Sequence, residues 1–318
     1  MPTRAEIMRA GLDFATSRGV EIGPLADPLV RKSEGHVTYV DYTDADKLRA
    51  KYANRPELNA ANIVDVDAIW GENTLADCLG SGQTVDYVLA SHVAEHVPDL
   101  ITWLEEVRLV LRPGGQLRLV LPDKRFSADA LRDETRITDL LTAWLLRARR
   151  PGVHQVLDFR LHHAPSVDGW GIFNGTSNLA AARPLHSFEV AMEAARWARD
   201  LDEYLDVHCT VVQPLTFARL MQRLAGFGVL RMACVTMIDS AMPLMEFYVF
   251  MEPCDDRDVA AASWQRIQAR LHDPLPGSAA ARAAEGRAAE VVRLQAELTK
   301  ARERIAVLER QVSRLGSA

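Results

Sequence analysis

The sequence lacks the features that mark secreted, zinc-binding or membrane-spanning chains. It has four cysteines in 318 residues, and none of them belongs to a CxxC pair. Scattered thiols of this kind are typical of a reducing compartment rather than of a disulfide framework or a zinc site. No apolar run has the length of a transmembrane helix, and no apolar N-terminal segment precedes a small-residue cleavage site. We therefore expect a cytoplasmic protein with no transmembrane segment.

Two further absences exclude classes of partner. The 37 Lys and Arg residues are outnumbered by 43 Asp and Glu, for a net charge of −6, which argues against a nucleic-acid partner, because such proteins normally carry a basic face. No GxGxxG motif follows the first strand pattern. This absence argues against an oxidoreductase that binds a dinucleotide.

Short apolar runs alternate with helical patterns over the first 125 residues, at 20–22, 36–40, 62–64, 85–90 and 116–121. Repeated strand–helix–strand units predict an α/β fold with a doubly wound parallel sheet. Two later runs, at 228–237 and 246–251, are joined by a short loop and should pair antiparallel. The expected fold is a Rossmann-like, seven-stranded sheet closed by this hairpin.

The remaining segments divide the chain. Residues 124–210 interrupt the alternation and are interpreted as an insertion, part helix and part loop, that could cover the carboxyl edge of the sheet. The main domain is then 1–252, a helix and a Pro/Gly/Ala-rich linker occupy 253–286, and a different element occupies 287–318.

Residues 287–318 carry a heptad pattern. Its a and d positions are Val291, Leu294, Leu298, Ala301, Ile305, Leu308, Val312 and Leu315. β-Branched residues at a with Leu at d favour a parallel two-stranded coiled coil. In this register Glu297 faces Arg302 and Arg304 faces Glu309 across the coil. The pattern predicts a homodimer or a partner helix; one amphipathic helix docked on its own domain is the alternative.

Polar residues follow the predicted strands, where a parallel sheet binds its ligands. Glu21 and Gly23 end the first strand, and a glycine there lets the backbone approach a ligand. Asp41 ends the second strand and could accept both hydroxyls of a ribose, or could instead cap the next helix. Asp65 ends the predicted third strand and could meet an adenine amino group; Asp67 could be that residue, or either could be a turn residue.

The order of several motifs resembles the class I S-adenosylmethionine-dependent methyltransferases. The motifs are EIGP, YVD, DYVLASHVAEHVPD, LRPGG and LPDKR, which lie between residues 18 and 125, and 207–251 matches less sharply as the closing strands. More narrowly, the chain is similar to bacterial members that accompany glycan-assembly enzymes. It departs from the commonest family pattern in having one glycine, not three, in the first loop.

This resemblance implies a role for each matching residue. Glu21, Gly23, Pro24 and Leu25 would lie beside the amino acid part of S-adenosylmethionine. Asp41 would hold the ribose, and Tyr42 would pack on the adenine, whose edge would meet Asp65 and Val66. Ser91 and His92 would flank the methyl donor.

The expected reaction is methylation of a hydroxyl on a sugar or glycan acceptor. Such an acceptor must lose a proton, and the candidate groups are His92, His96 and Asp123. His96 could instead only pack within the fold, and Asp123 could cap a helix or pair with Arg125. The alternative function is a non-catalytic Rossmann-like scaffold or binding module, presented by the coiled coil in a glycan-assembly complex.

No metal site is expected from the sequence. His154, His162, His163 and His208 have no compact ligand spacing. S-adenosylmethionine is therefore the one cofactor that the sequence predicts.

Overall fold

The computed structural model describes residues 2–55, 58–71, 73–80, 82–201 and 204–315, with side chains described up to residue 302. Its centre is a seven-stranded sheet in the order β3-β2-β1-β4-β5-β7-β6. The strands are β1 (Arg18–Ile22), β2 (His36–Asp41), β3 (Ala68–Ile69), β4 (Val85–Ser91), β5 (Leu111–Pro122), β6 (Met232–Ile238) and β7 (Glu246–Pro253). β1 to β5 pair in parallel, whereas β7 runs antiparallel to both β5 and β6. This arrangement confirms the predicted doubly wound α/β sheet with its closing hairpin.

Helices surround the sheet and form most of the segment between β5 and β6. They are α1 (Arg4–Arg9), α2 (Ala45–Tyr52), α3 (Leu75–Leu79), α4 (Leu100–Val110), α5 (Ile137–Leu146), α6 (Val153–His162), α7 (Gly169–Asn174), α8 (Phe188–Asp200), α9 (Pro214–Gly226), α10 (Arg257–Gln268) and α11 (Ala279–Leu315). None of the helices in the described ranges has both the length and the apolar character that crossing a bilayer requires.

The central strands are apolar along most of their length because both faces of the sheet are covered. Tyr87 and Leu89 of β4 belong to one hydrophobic cluster, which also contains Met8 of α1. Their neighbours along the strand, Val88 and Ala90, belong to the cluster on the opposite face with α4, α9 and α10. Successive side chains of a strand point to opposite faces, so β4 contributes to both cores.

The predicted position of the third strand was wrong. Residues 62–64 were expected to form it, but Ala60–Asn62 is a 3₁₀ turn, and the strand is the pair Ala68–Ile69. Val64 donates its N–H to the carbonyl of Leu25, in the loop after β1, instead of joining the sheet. A strand of two residues has no alternating pattern that a sequence could reveal.

A buried arginine attaches α1 to the sheet. Arg118 of β5 is 4% exposed, and its guanidinium donates to the carbonyls of Met8 (2.9 Å) and Ala10 (2.7 Å) at the end of α1. It also lies 4.4 Å from the ring centre of Phe250 in β7. These carbonyls have no partner within α1, because a helix leaves its last carbonyls unpaired. Arg118 therefore supplies their hydrogen bonds.

We expect Arg118→Ala to lower the free energy of unfolding by about 3 kcal/mol, because it leaves two carbonyls without a donor. Urea unfolding followed by circular dichroism measures the change. The matched control is Arg219→Ala at an exposed position of α9, which should stay within about 0.5 kcal/mol of the unmodified chain. Equal losses in the two variants would contradict this account of Arg118.

Candidate active site

The carboxyl ends of three adjacent strands lie at one level. Ile22 of β1 is opposite Val40 of β2 and Ala90 of β4. The residues that follow these three in the sequence are Gly23, Asp41 and Ser91, respectively. The N–H of Gly23 donates to the carbonyl of Val40 at 2.9 Å, which keeps the register up to this edge. The structure thus brings these three sequence-predicted residues together.

Glu21 organises the loop that follows β1. Its buried carboxylate accepts the N–H groups of Leu29 (2.7 Å) and Val30 (3.0 Å). Burial raises the pKa of Glu21 to about 7, although these two hydrogen bonds oppose the shift. Both oxygens are engaged, so Glu21 shapes the loop that contains Pro24 and Leu25.

Gly23 lies where the loops after β1 and β4 meet. Its φ is +68°, and a Cβ added to it would lie 2.7 Å from Cγ2 of Val93. Both the backbone conformation and the close approach require glycine. Leu25, two residues later, also has a positive φ of 46°. The loop therefore passes close to the tip of β4 without a side chain between them.

Asp41 presents a buried and sparsely bonded carboxylate at the tip of β2. It is 5% exposed, and among the described residues its one hydrogen bond is from the N–H of Tyr42 to Oδ1, at 2.7 Å. Burial raises the pKa of Asp41 to about 6, against the smaller opposing effects of that N–H and of Lys51. The remaining acceptor capacity of this carboxylate is free for a ligand hydroxyl.

Tyr42 is covered by the end of the insertion. Its ring centre lies 5.0 Å from that of Tyr204, and its hydroxyl accepts from Nζ of Lys51 at 2.9 Å. Lys51 also forms an ion pair of 2.5 Å with Asp206. The residues 204–206 therefore close over the tip of β2.

Asp65 and Val66 do not lie at the end of a strand, as they were expected to do. They precede β3. The Asp65 side chain is 86% exposed and forms an ion pair with Arg49 at 2.7 Å. The alternative residue, Asp67, also precedes β3; it accepts the N–H of Tyr39. The residue that follows β3 is Trp70, whose N–H donates to the carbonyl of Asp41 at 2.8 Å.

His92 follows β4 and lies between two buried carboxylates. Its Nε2 is 2.9 Å from Oε2 of Glu246, and its Nδ1 is 3.2 Å from Oε1 of Glu95. Burial alone lowers the pKa of His92, but Glu246 and then Glu95 outweigh it and raise the pKa to about 9. The imidazole is therefore charged near neutral pH.

Glu246 joins three parts of the chain, and sequence reasoning missed it as a site residue. Besides His92, it accepts two bonds from Arg4 of α1 (3.0 and 2.6 Å) and one from the hydroxyl of Tyr248 (2.6 Å). Burial raises its pKa, but His92, Arg4 and Tyr248 outweigh burial and lower it to about 2. Because β7 is antiparallel, its first residue lies at the edge where the parallel strands end. That direction was predicted, so Glu246 could have been placed here.

His96 lies one turn further along, against the end of the insertion. Its Nδ1 is 2.8 Å from Oδ1 of Asp206, in an ion-pair contact whose angle is poor for a hydrogen bond. Its ring centre is 4.6 Å from that of His208. Burial lowers the pKa of His96, but Asp206 and Glu95 outweigh burial and raise it.

Asp123 is fully occupied at the end of β5. It is completely buried, accepts from the side chain and the N–H of Arg125, and accepts from the hydroxyl of Ser240 at 2.6 Å. Pairing with Arg125 was the alternative interpretation of this residue. These contacts argue against its expected role as a base, since neither oxygen is free.

A cavity of about 570 Å³ opens beside the edge rather than at the strand tips. It lies between α4 and the end of α5, and Trp70, Glu106, Trp144 and Arg149 are among its lining residues. The carboxylate of Glu106 accepts a hydrogen bond from Nε1 of Trp70 (2.8 Å) and forms an ion pair with Arg149 (3.1 Å). Trp70 is the link between this cavity and Asp41.

We expect Glu246→Gln to lower the pKa of His92 from about 9 toward its ordinary range near 6.5, because a neutral amide no longer favours the charged ring. An NMR titration of the His92 ring protons measures it. Tyr248→Phe is the matched control, because it removes one bond to Glu246 and leaves the carboxylate beside His92. A pKa of His92 that is unchanged in Glu246→Gln would show that Glu246 does not hold the charge.

Comparison with solved structures returns chains of low identity, several of which are named as methyltransferases. The CcbJ methyltransferase from Streptomyces caelestis is 22% identical over 39% of this chain and 52% of its own, with a TM-score of 0.28. The mitomycin 7-O-methyltransferase MmcR is 12% identical over 79% of this chain and 53% of its own, with a TM-score of 0.36. DhpI, in a complex with SAH, is 18% identical over 78% of this chain and 81% of its own, also at 0.36. The chain thus spans about half the length of the first two, and at these scores the likeness carries no argument about function.

The family rests on a different comparison. No curated protein matches the chain. A family model described as a methyltransferase domain matches residues 4–231, which is well over half of the 318 residues. The match extends from α1 to the last residue before β6 and so includes the carboxyl ends of β1 to β5, but not Glu246 of β7. The chain therefore belongs to the methyltransferase domain family, and the cofactor which that family implies is S-adenosylmethionine.

Proposed function

We propose that the chain is an S-adenosylmethionine-dependent enzyme that methylates a hydroxyl of a sugar or glycan acceptor. The observation that carries the cofactor part is the buried Asp41 carboxylate, which is level with Gly23 and Ser91 and has a single hydrogen bond among the described residues. The sugar acceptor rests on the resemblance to bacterial methyltransferases that accompany glycan assembly. A cytoplasmic location is proposed with it, in keeping with four free cysteines.

The residues at the edge fit the cofactor. The backbone at Gly23 is clear of any side chain of its own, so a carboxylate or amine can approach the loop of Pro24 and Leu25. Asp41 can accept both hydroxyls of a ribose. Tyr42 supplies an aromatic face beside it, although Tyr204 already covers part of that ring. The segment at Trp70 takes the place that was expected for Asp65 and Val66.

Bound S-adenosylmethionine supplies a methyl group on a sulfonium sulfur, and an acceptor oxygen attacks the methyl carbon in line and displaces the sulfur. The protein then has to position the acceptor, exclude water and receive a proton. His92 is charged near neutral pH and both of its ring nitrogens face carboxylates, so it can balance a negative charge but cannot accept the proton. We therefore assign His92 to positioning, together with Ser91, at the methyl end of the site. His96 lies beside them, with Asp206 holding its Nδ1.

Binding of S-adenosylhomocysteine tests the cofactor part. Ribose hydroxyls donate to the ionised Asp41, whose pKa is about 6, and the ionised fraction falls about tenfold from pH 7 to pH 5. We expect the dissociation constant from calorimetry to rise about tenfold over that range. Asp41→Asn should weaken binding by roughly 10- to 100-fold at pH 7 and remove the pH dependence, because its amide does not titrate.

The control for this experiment is Asp46→Ala, at an exposed position of α2, which should bind as the unmodified chain does. Failure of the folded chain to bind S-adenosylhomocysteine would refute the cofactor assignment. Binding that is indifferent to Asp41→Asn would refute the ribose role of Asp41.

The C-terminal helix favours the second proposal, that the chain self-associates through 287–318. Among the side chains described up to residue 302, α11 is docked only near its start, where Ala281 is buried and Arg282 donates to the carbonyl of Asn174 at 2.9 Å. Further along, Val291, Leu294 and Leu298 are each about half exposed. An apolar stripe that covers nothing in its own chain favours a second helix over the docked-helix alternative.

Parts of the predicted coil remain predictions. Ile305, Leu308, Val312 and Leu315, and the pair Arg304 and Glu309, lie outside the described side chains. Glu297, expected to face Arg302 of a partner, is paired within its own helix with Arg293 at 2.7 Å. The same helix would also serve the alternative function, a binding module without catalysis. That function predicts cofactor binding without methyl transfer to any glycan acceptor.

We expect truncation after Glu285 to convert a dimer into a monomer, because it removes the whole heptad stripe. Light scattering coupled to size exclusion measures the mass. Leu298→Asp should have the same effect in the full chain, because it places a charge in the apolar seam. Arg293→Ala, which alters only intrahelical pairs, is the matched control and should stay dimeric. A full-length chain that is already monomeric would contradict the coil.

A further inference from the structure

Three potential metal ligands meet behind the tip of β4. Glu95, His96 and His208 each offer one ligand atom, and these three atoms lie within 4.8 Å of one another. Glu95 and His96 belong to the 3₁₀ turn Ala94–His96, whereas His208 comes from the end of the insertion. Motif spacing could not reveal the cluster, because His208 is remote from the other two residues along the chain.

Glu95 is the feature that points to a ligand. It is 1% exposed, and neither carboxylate oxygen has a hydrogen-bond partner among the described residues. Its one close polar contact is with Nδ1 of His92, at ion-pair range. A buried carboxylate normally has hydrogen bonds or coordinates a metal, because its desolvation is otherwise costly.

The backbone fixes the two segments that carry the cluster. The carbonyl of Glu95 accepts the N–H groups of Cys209 (2.5 Å) and Thr210 (3.1 Å). Residues 209–210 immediately follow His208, so the ring of His208 is held beside Glu95 by main-chain bonds. The position does not depend on the side chains that would bind an ion.

Each histidine is also oriented by a carboxylate. Oδ2 of Asp129 lies 2.5 Å from Nδ1 of His208, and Oδ1 of Asp206 lies 2.8 Å from Nδ1 of His96. Asp129 is itself buried and paired with Arg132 at 3.0 Å. A carboxylate on one ring nitrogen fixes the tautomer and leaves the other nitrogen for coordination, as in most histidine metal sites. For His208, whose contact with Asp129 is a hydrogen bond, Nε2 is therefore the nitrogen left for coordination.

We propose that Glu95, His96 and His208 bind a divalent transition metal ion such as Zn²⁺. Two imidazoles and one carboxylate form a ligand set for Zn²⁺ and its first-row neighbours, and imidazole disfavours Mg²⁺ and Ca²⁺. Three protein ligands leave a coordination position open, which is typical of catalytic rather than structural zinc. His92 contacts the same carboxylate of Glu95 at 3.2 Å and would lose part of that contact to the ion.

The open position suggests a use, which rests on the proposed function. An acceptor hydroxyl bound to the ion would have a lowered pKa and would lose its proton to bulk solvent before the site closes to water. Its oxygen would then form the bond to the methyl carbon as the carbon–sulfur bond breaks, and the sulfur would keep that electron pair as a neutral thioether. The ion would thus supply the activation that charged His92 and occupied Asp123 do not supply.

The test is metal binding by the full-length chain, made without a histidine tag and freed of metal by a chelator. We expect calorimetry to show one Zn²⁺ per chain, and Co²⁺ to give the visible absorption of a site with nitrogen ligands. Glu95→Gln and His208→Ala should each weaken binding by more than about 100-fold, and Asp129→Asn by about 10- to 100-fold. His162→Ala is the matched control: it is a nearby, half-exposed histidine paired with Asp158, and it should bind as the unmodified chain does.

Two results would overturn the proposal: no Zn²⁺ binding by the folded chain, or binding that Glu95→Gln and Asp129→Asn leave unchanged. Circular dichroism checks the fold of each variant; if His208→Ala fails to fold, the other two decide. Binding of S-adenosylhomocysteine to the same metal-free protein is measured separately. Absence of S-adenosylhomocysteine binding would refute the proposed function and leave the metal proposal intact. Absence of Zn²⁺ binding would refute the metal proposal and leave the proposed function intact.

Discussion

The parallel register of β1 between β2 and β4 is the constraint on which the site depends. Hydrogen bonding on both sides of β1 allows no slip, since a shift of one residue would turn its buried side chains to the other face. The same register sets Gly23, Asp41 and Ser91 level with one another. A ligand that spans the three strands therefore lies beside the backbone of Gly23, the carboxylate of Asp41 and the hydroxyl of Ser91.

Four of the buried carboxylates near this line, Glu21, Glu246, Asp41 and Glu95, differ in how many hydrogen bonds and ion pairs they receive from the protein. Glu21 has two backbone N–H groups, and Glu246 has Arg4, His92 and Tyr248. Both are satisfied by the protein itself and therefore fix loops and helices. Among the described residues, Asp41 accepts one N–H, and Glu95 has only its ion-pair contact with His92. Buried groups without a full set of hydrogen bonds are typical of sites where a ligand supplies the missing contacts. For this reason Asp41 is the basis of the cofactor proposal and Glu95 of the metal proposal.

Much of the fold could be predicted from the sequence because the long strands and helices bury continuous apolar patterns. The runs at 85–90 and 116–121 correspond to β4 and β5, and the runs at 228–237 and 246–251 to the closing hairpin. β3 could not be placed, because its pairing with β2 involves only Ala68 and Ile69. Asp65 was misplaced for the same reason, since it was counted from a strand that lies elsewhere.

The partners of the site residues could not be predicted because they come from distant parts of the chain. Arg4 reaches Glu246 from α1, and Asp206 and His208 reach His96 from the end of the insertion. No local pattern records such contacts, which follow from tertiary packing alone. The spacing of the motifs therefore predicted which residues lie at the strand tips. It did not predict the charged neighbours that set the protonation state and contacts of those residues.

The end of the insertion packs against the tips of both β2 and β4. Tyr204 covers Tyr42, Asp206 links Lys51 of α2 to His96, and His208 completes the cluster around Glu95. These contacts thus run from the tip of β2 to the tip of β4, along the edge at which we propose that the cofactor binds. Because methyl transfer needs an acceptor held against the donor with water excluded, a segment that spans both tips can couple the two requirements. Under the proposed function, the insertion would therefore take part in the chemistry of the site together with the strands.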